Sequence, residues 1–239
     1  MIRPGNPIQR RVVVIAAVLA LALAPSSLAI AQPAADLPLT KVRSWSLDQS
    51  ELYPGQVPPT AYRVRLEMAF VSGSRWAPEV ILDAAKHAAA ILSQCDVRVS
   101  VVHLHEFDGP QQFRNLFTPQ SREFARRSAL AKPAVFFVDD TLQRPAFDAE
   151  AVGRGNARTR PEMADTVWIT AATRDLPIVL AHELVHVLSD SGAHSEVPGN
   201  LMREDTAPGN TQLGPEQCSR IVAVGLTNGL LDRGTGYLR

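Results

Sequence analysis

One stretch, from Ile178 to Asp190, restricts the possible folds of this chain more than any other. It is almost entirely apolar and carries a His-Glu-x-x-His motif formed by His182, Glu183 and His186. Residues four apart lie on the same face of an α-helix, so both imidazoles can reach one metal ion. The apolar residues around the motif predict a helix packed inside the domain, with only the ligand face open.

The motif also indicates a chemistry. A zinc ion held by two such histidines lowers the pKa of a bound water towards about 7. Glu183 follows His182 directly, so its carboxylate can reach that water and accept its proton during attack on a carbonyl. We therefore expect one catalytic Zn²⁺, with Glu183 as the general base. The alternative is a buried helix with two ordinary histidines.

The segment after the helix reads Gly192-Ala-His-Ser-Glu-Val-Pro-Gly-Asn-Leu-Met202. With the motif before it, this segment resembles the metzincin superfamily of zinc peptidases, and its His-Ser and Leu-Met pairs are similar to the matrixin branch. The resemblance implies a third zinc ligand and a methionine turn below the metal. The residues it assigns are the ligands His182, His186 and His194, the base Glu183, and Met202 in the turn.

The sequence departs from this family in one place. Seven residues separate His186 from His194, where the superfamily pattern has five with a glycine among them. We expect the helix to run slightly further before Ser191–Gly192 turns the chain. Asp190 and Glu216 are the alternatives for the third ligand.

The first residues have the pattern of a secretory signal. Three arginines precede an apolar run over 12–24, and Ala29-Ile-Ala31 matches a cleavage site. We predict a signal peptide over 1–31, with an uncleaved anchor as the alternative. The mature protein would be exported, periplasmic or extracellular, without stable membrane insertion.

Residues 32–60 are rich in proline and lack a clear period. They predict an extended N-terminal segment or short propeptide, although Trp45 and Leu47 could dock such a segment on the domain surface. We assign 61–239 to a single zinc metallopeptidase domain.

The chain has two cysteines, Cys95 and Cys218. In an exported protein they predict one disulfide, with two free buried thiols as the alternative.

Periodicity predicts strands over 61–71, 97–107, 134–138 and 166–170, and helices from Pro78 and Pro215. With the metzincin resemblance, this order implies an α+β, zincin-like domain with a small, mixed, mostly parallel sheet, an active-site helix and a C-terminal helix. In that fold an open edge strand aligns an extended peptide. Our candidate for it consists of Thr166, Val167, Trp168, Ile169 and Thr170.

Two further groups allow alternatives. His103 and His105 alternate on a predicted strand, so they could bind a second metal or lie on a solvated face. Asp139–Asp140 could join a structural Ca²⁺ site or simply end a strand.

The sequence thus predicts a secreted zinc metalloendopeptidase that acts on a protein or peptide, as a monomer. The alternatives are a zinc amidase acting on cell-wall peptide and a non-catalytic envelope binding protein with a structural zinc. The chain has 24 basic and 24 acidic residues and no basic cluster, which argues against nucleic acid as a partner.

Overall fold

The computed structural model describes residues 37–55, 61–142, 151–154 and 161–234. The predicted signal peptide over 1–31 lies outside the described residues. Within the described part of the chain, no helix is both long enough and apolar enough to cross a membrane.

The secondary structure alternates between strands and helices along most of the chain. The strands are β1 (Thr40–Asp48), β2 (Tyr62–Val71), β3 (Val97–Asp108), β4 (Asn115–Leu116), β5 (Ala134–Val138), β6 (Asp140–Thr141), β7 (Ala151–Arg154), β8 (Thr166–Thr170) and β9 (Asp232–Arg233). The helices are α1 (Gln49–Leu52), α2 (Pro78–Leu92), α3 (Thr118–Ser128), α4 (Leu176–Ser189) and α5 (Pro215–Thr227).

The main sheet is mixed and mostly parallel, as the sequence predicts. Its strand order is β1-β3-β2-β5-β8-β7, with β9 added to one end of β2. The four central strands run parallel, whereas β1, β7 and β9 pair antiparallel with their neighbours. Strands β4 and β6 form a small separate sheet.

Alternating side chains along β2 divide the interior into two cores. Leu66 and Met68 face a larger core that includes buried residues of α2 and α4. Ala69 and Val71 face a smaller, aromatic-rich core, which includes Phe124 of α3. The sheet therefore lies between helices on both faces, and α4 belongs to the larger core.

The N-terminal segment is part of the sheet from Thr40 onward. Strand β1 pairs with β3 along nearly its whole length, and Trp45 and Leu47 pack against the larger core. The alternative prediction, in which Trp45 and Leu47 dock on the domain, therefore describes this segment. The domain boundary that we placed at residue 61 is wrong. This strand was hard to predict because most side chains of β1 are exposed, so only two apolar residues indicate a buried face.

Strand β8 is not an open edge, and in this respect our prediction for Thr166–Thr170 is wrong. It pairs in parallel with β5 on one side and antiparallel with β7 on the other. A strand paired on both sides has no free row of backbone groups for a peptide. In the described part of the chain, the edge on this side of the sheet is formed by β7.

A disulfide joins Cys95, just after α2, to Cys218 in the first turns of α5, with a Cα–Cα distance of 4.7 Å. The predicted disulfide is confirmed, and the alternative of two free thiols is excluded.

Candidate metal centre

Helix α4 carries the His-Glu-x-x-His motif through the interior of the domain. Pro177 lies in its first turn, where its missing N–H would have no partner inside the helix. Twelve of its fourteen residues are buried, as expected for a helix that is apolar on nearly every side. His182 and Glu183 are 4% and 8% exposed, so two polar side chains are buried side by side.

Three imidazoles meet beside this helix. The Nε2 atoms of His182 and His186 are 2.9 Å apart, and those of His186 and His194 are 3.3 Å apart. One nitrogen from each of the three rings lies within 4.8 Å of the other two. Among the described residues, this is the one group of three or more histidines, cysteines or acids with that spacing.

Backbone carbonyls fix the tautomers of the first two histidines. The Nδ1–H of His182 donates to the Leu201 carbonyl at 2.9 Å, and that of His186 donates to the Ser191 carbonyl at 2.5 Å. Each neutral ring therefore keeps an unprotonated Nε2, directed at the other ring. This arrangement is common among metal-binding histidines.

Burial also favours the neutral rings. It lowers the pKa of His182 to about 4, against the opposing effect of the Leu201 carbonyl, and it lowers the pKa of His186 as well. Two neutral Nε2 lone pairs 2.9 Å apart repel each other unless a cation lies between them. With a third imidazole beside them, the donor set fits zinc, which binds histidine nitrogen at about 2.0–2.1 Å.

The longer connection to His194 turns at Asp190. Helix α4 ends at Ser189, and Asp190 adopts a left-handed conformation with φ 44° while its N–H bonds back to the helix. Gly192 does not have positive φ. Our expectation that Ser191–Gly192 makes the turn is therefore wrong, because Asp190 takes the position that glycine usually occupies after a helix.

The alternatives for the third ligand do not join this group. Glu216 lies on the exposed first turn of α5, and Asp190 lies at the end of α4. Among the described residues, the metal-compatible group contains His194 and neither of these carboxylates.

Met202 lies in a turn held by its neighbours. Its N–H donates to the Asn200 side chain at 2.9 Å, and its carbonyl accepts from the Ser195 N–H at 2.7 Å. The side chain is buried in the larger core with Val185 of α4.

The sequence did not identify the Leu201 and Ser191 carbonyls as partners of the histidines. Every residue has a carbonyl, and only the fold directs these two at imidazole rings.

A cleft of about 800 Å³ opens beside His194. Its apolar wall includes Val185, Val197 and Met202. Glu216 and Arg220 of α5 also line it, and the Arg220 Nε donates to the Ser189 carbonyl at 3.1 Å. The cleft is thus a mixed apolar and charged space next to the three histidines.

The second histidine pair belongs to a different cluster. His103 Nδ1 and His105 Nε2 each lie 2.8 Å from a different oxygen of Glu67 on the neighbouring strand. His105 is only 8% exposed, so a fully solvated face is wrong for this residue. Glu67 already bonds to both rings, which gives no support to a second metal site.

The carboxylates considered for calcium accept backbone hydrogen bonds. Asp139 accepts from the Arg75 N–H at 2.6 Å, and Asp140 accepts from the Thr141 N–H at 2.7 Å. These contacts fit the plain strand end that was the alternative to a Ca²⁺ site.

Comparison with known proteins finds similarity in structure and not in sequence. No family model matches the chain, and no curated protein sequence matches it. The chain is similar in structure to metalloproteinase-II from Bacteroides fragilis, with a TM-score of 0.50 and 16% sequence identity. The match covers 72% of this chain and 55% of that one, so it spans about half the length of the relative. At this identity, the likeness shows a shared fold.

Proposed function

We propose that this protein is an exported, zinc-dependent metalloendopeptidase. The observation that carries the proposal is the convergence of three imidazoles, two of which have tautomers that leave Nε2 free for a metal. The metalloproteinase-like fold supports it, and the disulfide is consistent with an oxidising compartment outside the cytoplasm.

The residues have separate roles in this proposal. His182, His186 and His194 hold the metal, and Met202 packs below the site. A bound zinc ion supplies a Lewis acid that polarises the scissile carbonyl and makes a water molecule more acidic. Glu183 accepts the proton of the attacking water and passes it to the leaving amine. Burial of Glu183 strengthens its interactions with charge that develops nearby.

The substrate would lie between the outer edge of β7 and the cleft beside His194. An extended peptide can pair with an exposed antiparallel strand and add to the sheet. The cleft can then receive a side chain of the same peptide. This assignment moves the substrate-aligning role from β8 to β7, for the reason that β8 is paired on both sides.

Three ligands favour a catalytic over a structural zinc. Structural zinc sites usually have four protein ligands, whereas catalytic sites keep one position for water or substrate. The group found among the described residues has three histidines, and one of them borders an open cleft. A non-catalytic envelope binding protein is therefore the weaker proposal.

The test compares Glu183→Gln with Glu79→Gln, a matched change on the exposed first turn of α2, away from the cleft. Wild type should bind about one zinc per chain and digest an unfolded protein such as casein. Glu183→Gln should keep the zinc and lose activity by about 10²- to 10⁴-fold, the usual contribution of a general base. Glu79→Gln should keep both properties, and His194→Ala should bind zinc more weakly.

Three outcomes would overturn parts of the proposal. A wild type without zinc removes the metal centre, and a fully active Glu183→Gln removes the proposed base. Hydrolysis of peptidoglycan peptides without any digestion of casein would favour the amidase alternative, because substrates with D-centres pair poorly with an edge strand.

A further inference from the structure

A reciprocal pair of side-chain amides links the methionine turn to α5. Asn200 Nδ2 donates to Gln217 Oε1 at 2.9 Å, and Gln217 Nε2 donates back to Asn200 Oδ1 at 3.0 Å. Asn200 is only 7% exposed. The two residues line the cleft, but neither has a part in the chemistry proposed above.

Each amide oxygen also accepts a backbone hydrogen bond. Asn200 Oδ1 accepts from the Met202 N–H at 2.9 Å, and Gln217 Oε1 accepts from the Gly214 N–H at 2.7 Å. Both oxygens therefore use two acceptor positions, the usual capacity of an amide oxygen. Rotating either amide by 180° would place its NH₂ group against an N–H donor, so one orientation of the pair is strongly favoured.

The residue held between these contacts is Leu201, whose carbonyl accepts the Nδ1–H of His182 at 2.9 Å. The Leu201 N–H donates to the Gln212 carbonyl at 2.7 Å. With Asn200 fixed on one side and the Met202 N–H on the other, the Leu201 carbonyl has little freedom to rotate. Its direction in turn determines where the His182 Nε2 lone pair points.

The Gln217 end of the pair is held in place by contacts on both sides. Gln217 is followed by Cys218, whose disulfide with Cys95 joins α5 to the end of α2. The segment that leads into α5 is held by Gln94, which donates to the Thr211 carbonyl at 2.8 Å and accepts from the Leu213 N–H at 3.3 Å. The position of Gln217 is thus determined from two directions.

We propose that the Asn200–Gln217 amide pair positions His182 for metal binding, acting through the Leu201 carbonyl and anchored on the disulfide-linked α5. This inference rests on the metal centre of the proposed function. Asn200 and Gln217 are positioning residues, since neither is among the three metal-compatible side chains. Loss of a hydrogen bond that orients a ligating histidine typically weakens metal affinity 10- to 100-fold.

The experiment measures zinc affinity by chelator competition for wild type, Asn200→Ala, Gln217→Met and the double variant. Each single variant should bind zinc about 10- to 100-fold more weakly than wild type. The double variant should be little weaker than either single one, because both act on the same contact. The visible absorption of the Co²⁺-loaded single variants should also differ from that of wild type, because the ring of one ligand is no longer held.

Gln212→Ala is the matched control. Gln212 contacts Leu201 through its backbone carbonyl, and its exposed side chain bonds only to Thr211 among the described contacts. This variant should keep the affinity and the Co²⁺ spectrum of wild type. Asn200→Asp keeps an oxygen that accepts from the Met202 N–H and from Gln217 Nε2, but its second oxygen faces the acceptor Gln217 Oε1. It should therefore bind zinc with an affinity between those of Asn200→Ala and wild type.

The outcomes separate this inference from the proposed function. If wild type binds no zinc, the metal centre itself fails. If wild type binds zinc and the folded Gln217→Met variant matches its affinity and its Co²⁺ spectrum, the positioning role is wrong while the metal centre stands.

Discussion

Lys132 is a half-buried cation, far from the histidine cluster in the sequence. Its Nζ donates to the Glu162 carbonyl at 3.3 Å. Burial lowers the pKa of this ammonium group to about 8, against the opposing charges of Asp165 and Glu162. The folded protein therefore holds the Lys132 proton less tightly than the unfolded chain does.

This difference predicts a pH-dependent stability. Between about pH 8 and 10.5 the unfolded chain binds more protons at this site, so the contribution of Lys132 to the unfolding free energy rises with pH. Lys132→Met should raise the unfolding free energy at pH 7 by about 1–2 kcal/mol, a value reduced for partial exposure. The gain should shrink as the pH approaches 10.5.

Urea unfolding at pH 7, 8 and 10 checks this prediction, with Lys86→Met on α2 as the control for replacing a lysine by methionine. A gain that is the same at all three pH values would show that the effect comes from packing and not from the proton.

At the residue scale, the sequence identified the side chains that come together because of their spacing along one helix. His182, Glu183 and His186 are of this kind, since four residues make about one helical turn. It could not identify the Leu201 carbonyl or the partial burial of Lys132, because both depend on segments that are distant in the sequence. The Asn200–Gln217 pair was missed for the same reason.

At the scale of elements, the turn after α4 decides where His194 lies. Asp190 carries the left-handed conformation there, whereas an added methyl group at Gly192 would meet no atom within 4 Å. The residue that must adopt the left-handed conformation is thus Asp190, two residues before the glycine that the sequence suggested.

This geometry predicts that two neighbouring substitutions differ in their effect. Gly192→Ala should leave the melting temperature and zinc affinity nearly unchanged. Asp190→Val should lower the unfolding free energy by about 1–2 kcal/mol, because a β-branched side chain disfavours the left-handed conformation. Thermal melting and zinc titration of both variants test this, and a clear loss of zinc affinity in Gly192→Ala alone would restore the glycine as the turning residue.

Most helices and central strands were predictable because their periodicity is local. The strands 134–138 and 166–170 are found as expected, and α5 begins at Pro215. The edges of the sheet were not predictable. Strand β1 has little apolar character, and β7 is only four residues long, so neither has a pattern strong enough to reveal its partner.

At the scale of the whole molecule, the disulfide closes a long loop. Cys95 and Cys218 are 123 positions apart, so the bond removes much of the conformational freedom of the unfolded chain. In the chain-entropy account this stabilises the fold by about 4–5 kcal/mol. It also ties the core around α2 to the helix that supports the candidate metal centre.

The double variant Cys95→Ala, Cys218→Ala should therefore unfold at a clearly lower urea concentration than the oxidised wild type, by several kcal/mol in free energy. Wild type treated with a reductant should approach the variant, and the variant should not respond to the reductant. Equal midpoints for all three samples would show that the disulfide contributes little to stability.

Among the described strands, β1 forms one outer edge of the main sheet, and this has a consequence for how copies of this protein meet. Exposed edge strands attract one another, since each offers unpaired backbone groups in a regular row. Here the row is interrupted by a register shift between Lys41 and Arg43, and both of these positive side chains are exposed. Arg43 is paired with Glu106, but two copies approaching through this edge would bring their Lys41 side chains together on irregular backbones. The strand that completes the sheet thus also discourages its growth into a fibril.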